Sequence, residues 1–165
     1  MRKIKVKELS LEAFKLYGSF EKMEGPEAYH FGAPPIKFYR DMIGLDLGGA
    51  AKASFSICQV EQRPFVIDKT EYHSSTGEGI LPLDTDVVIH VGPATSGTVP
   101  LDEIEAFRVP RGTMAVLRPG VWHHAPFASG SKQANLLIVL PERTYANDCT
   151  VVELNEKDRI EIEET

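Results

Sequence analysis

Hydrophobic and polar positions along the chain follow two different rhythms. One segment, "LSLEAFKLYG", has helical spacing: Leu11, Phe14 and Leu16/Tyr17 fall near one face, Ser10 is placed to cap it and Gly18 to stop it. This predicts a helix from about Ser10 to Leu16. The next segment, "EKMEGPEAYHFGAPPIKFYRDM", carries glycine and paired prolines that forbid long regular structure. Beyond it come short runs rich in valine, isoleucine and phenylalanine: "ASFSICQV", "FVIDKTEYH", "GILPL", "DVVIHVG", "AFRVP", "MAVLRP", "VWHHAPFA", "NLLIVLP" and "CTVVEL". Turn signals such as "GTM", "RPG" and "SGS" separate them. One helix against a series of short strands predicts an all-β antiparallel sandwich or barrel. No helical stretch separates the strands, which argues against parallel βαβ units. "PLDEIEAF" has room for a single helical turn.

The length of 165 residues suits one domain over 1–165, large enough for a real core. Net charge is −6, and the segment 153–165, "ELNEKDRIEIEET", holds six acids and two bases. That segment is expected to be a solvated acidic tail. With no basic stripe to track phosphates, nucleic acid is not an expected partner. The longest apolar run, "ANLLIVL", is too short to span a bilayer, and "MRKIKVKELS" puts charges where a signal peptide needs an apolar core. Cys58 and Cys149 form no C-x-x-C pair and are expected to be reduced thiols. Together these features predict a cytoplasmic protein without membrane partners.

Candidate chemistry lies in two stretches. In "TEYHSSTGEGILP", Glu71 and His73 are two apart and leave one face of a strand. Glu78 has the wrong phase to join them unless "SSTG" forms a turn or bulge that resets the register. In "PGVWHHAPF", Gly120 makes a turn, and alternation from Val121 puts His123 on one face and Trp122 with His124 on the other. Two imidazoles with one or two carboxylates suit a divalent first-row ion, and zinc, manganese and iron are all open. Glu71 is open as a ligand or as a base. Arg118 is a candidate clamp for a substrate carboxylate. His30, His90, Trp122 and Cys58 read as structural.

E-x-H-x4-E followed by P-G-x-x-H resembles the two motifs of the cupins, small β-barrels with a site in the mouth. The resemblance places His73, Glu78 and His123 at three ligand positions and Glu71 where a further histidine would stand. Over nearly the whole chain, "LSLEAFKLYG", "EYHSSTGEGILPL", "GVWHHAPFA" and "NDCTVVEL" occur in the order seen in the ureidoglycolate lyase (formerly ureidoglycolate hydrolase) family. Two features depart from that pattern: Glu78 stands in place of a glutamine, and "VLRPG" in place of polar and aromatic residues. The resemblance implies a cupin-like double-sheet barrel and a homodimer associated with nickel. It also implies release of urea and glyoxylate from ureidoglycolate, a small carboxylate, in allantoin breakdown. Two other readings stay open: another metal-dependent cupin enzyme acting on a small hydroxy or keto acid, or a non-catalytic barrel that binds a small carboxylate.

Overall fold

The computed structural model describes residues 1–164, and among them strands dominate. They are β1 (Arg2–Glu8), β2 (Gly18–Lys22), β3 (Ala53–Glu61), β4 (Val66–Ile67), β5 (Lys69–Tyr72), β6 (Glu78–Pro82), β7 (Val87–Val91), β8 (Glu105–Val109), β9 (Thr113–Leu117), β10 (Phe127–Ala128), β11 (Gln133–Pro141), β12 (Thr150–Glu153) and β13 (Ile160–Glu163). Helix is confined to α1 (Leu11–Phe14), α2 (Thr144–Asn147) and two 3-10 turns, one of which, Leu101–Glu103, falls within "PLDEIEAF".

The strands form an all-β double-sheet barrel. One sheet runs β10-β7-β8-β1-β13-β4, the other β2-β9-β6-β11-β3, and β12 and β5 make a separate pair. The main core lies between the two large sheets, where Ile80, Leu117 and Leu136 meet Ile89 and Phe107. Strict alternation sends Val88 and Ala106 through the six-stranded sheet to a second core on its far side, with Ile67, Phe127, Ile160 and Ile162.

Four features depart from the sequence expectation. The helix is shorter than Ser10–Leu16. Ser10 does cap it, accepting from the Ala13 amide at 3.2 Å, but only Phe14 and Tyr17 are buried and Leu11 and Leu16 face solvent. The chain turns away because Gly18 packs flat on β9, where an added Cβ would collide with the Val116 carbonyl. Phe14 and Tyr17 instead pack against Phe107, with ring centroids 5.3 and 5.9 Å away.

The N-terminal segment is a strand, and it makes the parallel pairings of an otherwise antiparallel structure. β1 lies between β13 (Arg2↔Ile160 through Lys5↔Glu163) and β8 (Val6↔Ala106 through Glu8↔Arg108). No βαβ crossover is needed, since the whole barrel serves as the connection. The acidic segment is correspondingly not a solvated tail: its alternation hides Ile160 and Ile162 in the second core and turns Glu161 and Glu163 to Lys3. "VWHHAPFA" is extended, but regular strand is confined to Phe127–Ala128.

Packing of the acidic segment makes a clear prediction. Ile162→Ala should lower the unfolding free energy by about 2–5 kcal/mol, the cost of truncating a buried isoleucine, as read by urea denaturation. A change near zero would mean that the segment is not docked.

Candidate metal centre

The site is assembled by one extended segment held along both edges. The Glu71 amide donates to the His123 carbonyl at 2.6 Å and the His123 amide returns to the Glu71 carbonyl at 2.8 Å. On the other edge Trp122 exchanges the same pair of bonds with Gly92, at 2.8 and 3.0 Å. Upstream, the Gly120 amide donates to the His73 carbonyl at 2.7 Å. Gly120 has φ +81°, so a side chain there would be strained, and its Cβ would stand 2.9 Å from that of Ala94. This stitching fixes which way each side chain points. Trp122 is fully buried against Tyr72, centroids 4.6 Å apart, with Nε1–H donating to Thr95 Oγ1 at 2.8 Å. His123 takes the opposite face and meets His73, their ring centroids 5.2 Å apart.

Glu78 reaches the pair because the chain bends at Ser74–Ser75. The Asp148 carboxylate holds that bend, accepting from the Ser74 amide (2.8 Å), the Ser74 hydroxyl (2.5 Å) and the Ser75 amide (2.8 Å). Glu78 Oε2 then lies 3.1 Å from His73 Nε2 and 2.9 Å from His123 Nε2. All three side chains are buried. Glu71 completes the cluster: it, His73 and His123 each offer a ligand atom within 4.8 Å of the others.

The tautomers follow from the backbone. His73 Nδ1–H donates to the Asp148 carbonyl at 2.7 Å and His123 Nδ1–H to the Val121 carbonyl at 2.8 Å. In the neutral rings both Nε2 atoms are therefore bare and aimed at one carboxylate oxygen. Two lone-pair-bearing nitrogens, 3.1 and 2.9 Å from one carboxylate oxygen, need positive charge between them and it, either protons or a metal ion. Without metal, the Glu78–His123 pair supplies it. Burial would push Glu78 up, but the facing imidazoles outweigh it and hold the carboxyl at about 2. Burial would likewise lower His123, but Glu78 outweighs it and raises the imidazole above its ordinary 6.5. The donor set, two nitrogens with orientation fixed from behind and a carboxylate beside them, fits a divalent first-row ion.

Other residues around the cluster carry no local sequence signal. Cys149 Sγ lies 3.6 Å from Glu71 Oε2, and its thiol is held protonated, pushed up to about 12 by burial and by Glu71. Tyr145, on α2 and 61% exposed, sets its ring edge-on to His73 at 6.0 Å. Although much of the side chain is exposed, desolvation of the phenol on its inward side, then the charges of Glu78 and Glu71, raise it. Asp148, Cys149 and Tyr145 reach the site through the pairing of β12 with β5, which no short window of sequence reveals. Arg118 is not brought to the cluster. It is exposed, and its guanidinium donates to the Lys15 and Leu16 carbonyls, tying down the end of α1.

Fold and site thus define a double-sheet β-barrel with a buried bis-histidine, carboxylate centre. Residues 1–162 match the family model for ureidoglycolate lyase, and the chain belongs to that family. Proteins named ureidoglycolate lyase from Escherichia coli O1:K1 and Shigella boydii serotype 18 are each 24% identical over 159 residues, covering 94% of this chain and 97% of the relative. Two solved structures of oxalate decarboxylase also resemble it. One, from Bacillus subtilis, concerns the Mn(II) centres of that enzyme, and the other its substrate binding mode. Each matches 62% of this chain with a TM-score of 0.43 at 16% identity, and the chain spans 24% of the length of those proteins.

Two outcomes test the centre. Metal-stripped protein should bind a divalent ion, His123→Ala should abolish binding and His124→Ala should retain it, as measured by elemental analysis after dialysis. Loss in His124→Ala alone would refute the assignment. Affinity should also rise with pH above 6.5, because the ion must displace the proton that Glu78 holds on His123. In the metal-free protein the two groups contribute to stability in opposite directions with pH. The His123 contribution is present below 6.5 and lost as pH climbs through its raised value; the Glu78 contribution is present above its ordinary 4.5 and lost as pH falls toward 2. Metal titrations and thermal melts at several pH values check both.

Proposed function

We propose that this protein is a metal-dependent carbon–nitrogen lyase that splits ureidoglycolate into glyoxylate and urea in the cytoplasm. The observation that carries the metal is the convergence of two bare Nε2 atoms on Glu78 Oε2, and family membership carries the substrate. His73, His123 and Glu78 would hold the ion, with nickel as the expected metal. When bound, the ion supplies Lewis acidity that lowers the pKa of a coordinated hydroxyl and anchors the neighbouring carboxylate.

The residues supply the rest. Glu71 accepts the proton of the substrate hydroxyl, and the electrons of that O–H bond form the carbonyl of glyoxylate. The carbon–nitrogen bond breaks, its electron pair leaves with the urea nitrogen, and Glu71 returns the proton there. One carboxylate thus serves as base and then acid, help worth roughly 10²–10⁴-fold. The Cys149 thiol, donating to Glu71 Oε2, orients that carboxylate. Tyr145, beside His73, offers a protonated phenol to the incoming substrate.

A homodimer is part of this reading. Strand β3 is an edge of its sheet and exposes Phe55 and Ile57 (69% and 62%), surface that a second copy would cover. Light scattering at micromolar concentration should give twice the chain mass, and a monomer would end the idea.

Glu71→Gln should keep the metal but lower kcat by roughly 10²–10⁴-fold, measured as urea and glyoxylate release from ureidoglycolate. Turnover unchanged in this variant would remove Glu71 as the base. Metal-loaded wild-type protein that releases neither product would overturn the substrate.

A further inference from the structure

Behind the metal centre, on the face occupied by the second core, lies a cavity of about 210 Å³. Arg63, Lys69, His90 and His124 line it, with Ile67 and Phe127 as apolar wall and Asp68 exposed at the rim. None of these residues has a part in the lyase reading.

His90 is the unusual member. Its strand alternates Val87, Ile89 and Val91 into the main core, so His90 projects with Val88 to the opposite side. It is only 2% exposed. The Thr70 hydroxyl donates to the His123 carbonyl at 3.1 Å, so toward His90 Nε2, 3.2 Å away, Thr70 can only accept. His90 is therefore the Nε2–H tautomer and its Nδ1 is a bare acceptor. That Nδ1 is the buried side-chain polar atom that meets no partner among the described residues. Burial holds the ring neutral. A buried acceptor left unmatched is costly, and native structures leave few such atoms without a reason.

Arg63 supplies the complementary charge in a fixed position. Two of its nitrogens donate to the Ala125 and Pro126 carbonyls, at 2.7 and 2.8 Å, and its guanidinium stacks over Phe127 at 4.1 Å. With five N–H groups available, an arginine so held still has donors to offer. Lys69 adds a second cation at the same cavity.

We propose that this cavity is a second binding site, for a small oxyanion that also carries a hydrogen-bond donor. The anionic oxygens would meet Arg63 and Lys69 while the ligand's own O–H satisfies His90 Nδ1. Hydrogen phosphate and a 2-hydroxy carboxylate such as glycolate share this chemistry.

The test uses chelator-treated, metal-free wild-type protein, so that it stands whether or not the metal centre or the lyase reading survives. Phosphate and glycolate are titrated separately at constant ionic strength, each against a partner that lacks the donor at neutral pH: sulfate for phosphate, acetate for glycolate. Nitrogen-15 spectra of the histidine side chains report the site. His90 should begin as the Nε2–H tautomer, and its Nδ1 resonance should move with phosphate, glycolate or both, which identifies the source. The matched donor-free anion should bind about tenfold more weakly, the worth of one hydrogen bond to a buried acceptor. His90→Leu, checked for folding by its melting curve, should erase that preference. A His90 resonance at the Nδ1–H position, no movement with either anion, or equal affinity for sulfate and phosphate together with acetate and glycolate would overturn the site.

Discussion

The whole site depends on one pair of backbone hydrogen bonds, those between Glu71 and His123. They set the register between two segments far apart in sequence, and register decides which side chains share a face. A slip of one residue would bring Trp122 or His124 to face His73 and push His123 into the second core. The bonds to Gly92 on the other edge make such a slip doubly costly, since both ladders would have to break together. The fold thus specifies its chemistry through main-chain pairing, and the glycines at 92 and 120 allow the close approach that the pairing needs.

Around that register the polar groups are arranged in layers. Backbone carbonyls of Val121 and Asp148 hold the Nδ1 protons, which leaves the Nε2 atoms free to converge. The Asp148 side chain in turn holds the bend that delivers Glu78. Asp148 therefore supports two members of the cluster at once, one with its main chain and one with its carboxylate. The low pKa of Glu78 is a consequence: a fully buried carboxylate stays ionised because two imidazoles face it.

How much of this was legible in the sequence depended on the range of the interaction. Local alternation was enough to separate His123 from Trp122, and the spacing of Glu71 and His73 placed them together. The bend at Ser74–Ser75 could be named as a need, but its agent, Asp148, lies far along the chain and arrives only through the β5–β12 pairing. The same holds for Cys149 and Tyr145. Arg118 looked like a substrate clamp because its charge and position after β9 say nothing about which carbonyls it will find; those of Lys15 and Leu16 lie on a distant element. The acidic end was misread, and the first strand passed over, for a different reason. "KIKVK" and "RIEIE" alternate with period two as strands should, but the charge of the second suggested a solvated tail. Each is a strand because the other exists, basic residues beside acidic ones.

That mutual dependence has a consequence for how the molecule comes into being. Strand β1 lies inside its sheet, with Arg2 beside Ile160 and Val6 beside Ala106. A ribosome releases these partners in order, so β1 emerges with no edge to join and waits for its second neighbour until β13 has followed. Loop-closure entropy of that span must be met before the sheet is complete, which places the barrel among slowly condensing topologies. Until then the basic edge of β1 stays open. Its lysines, which end as partners for Glu161, Glu163 and Glu105, serve meanwhile as charges that discourage pairing with the wrong chain.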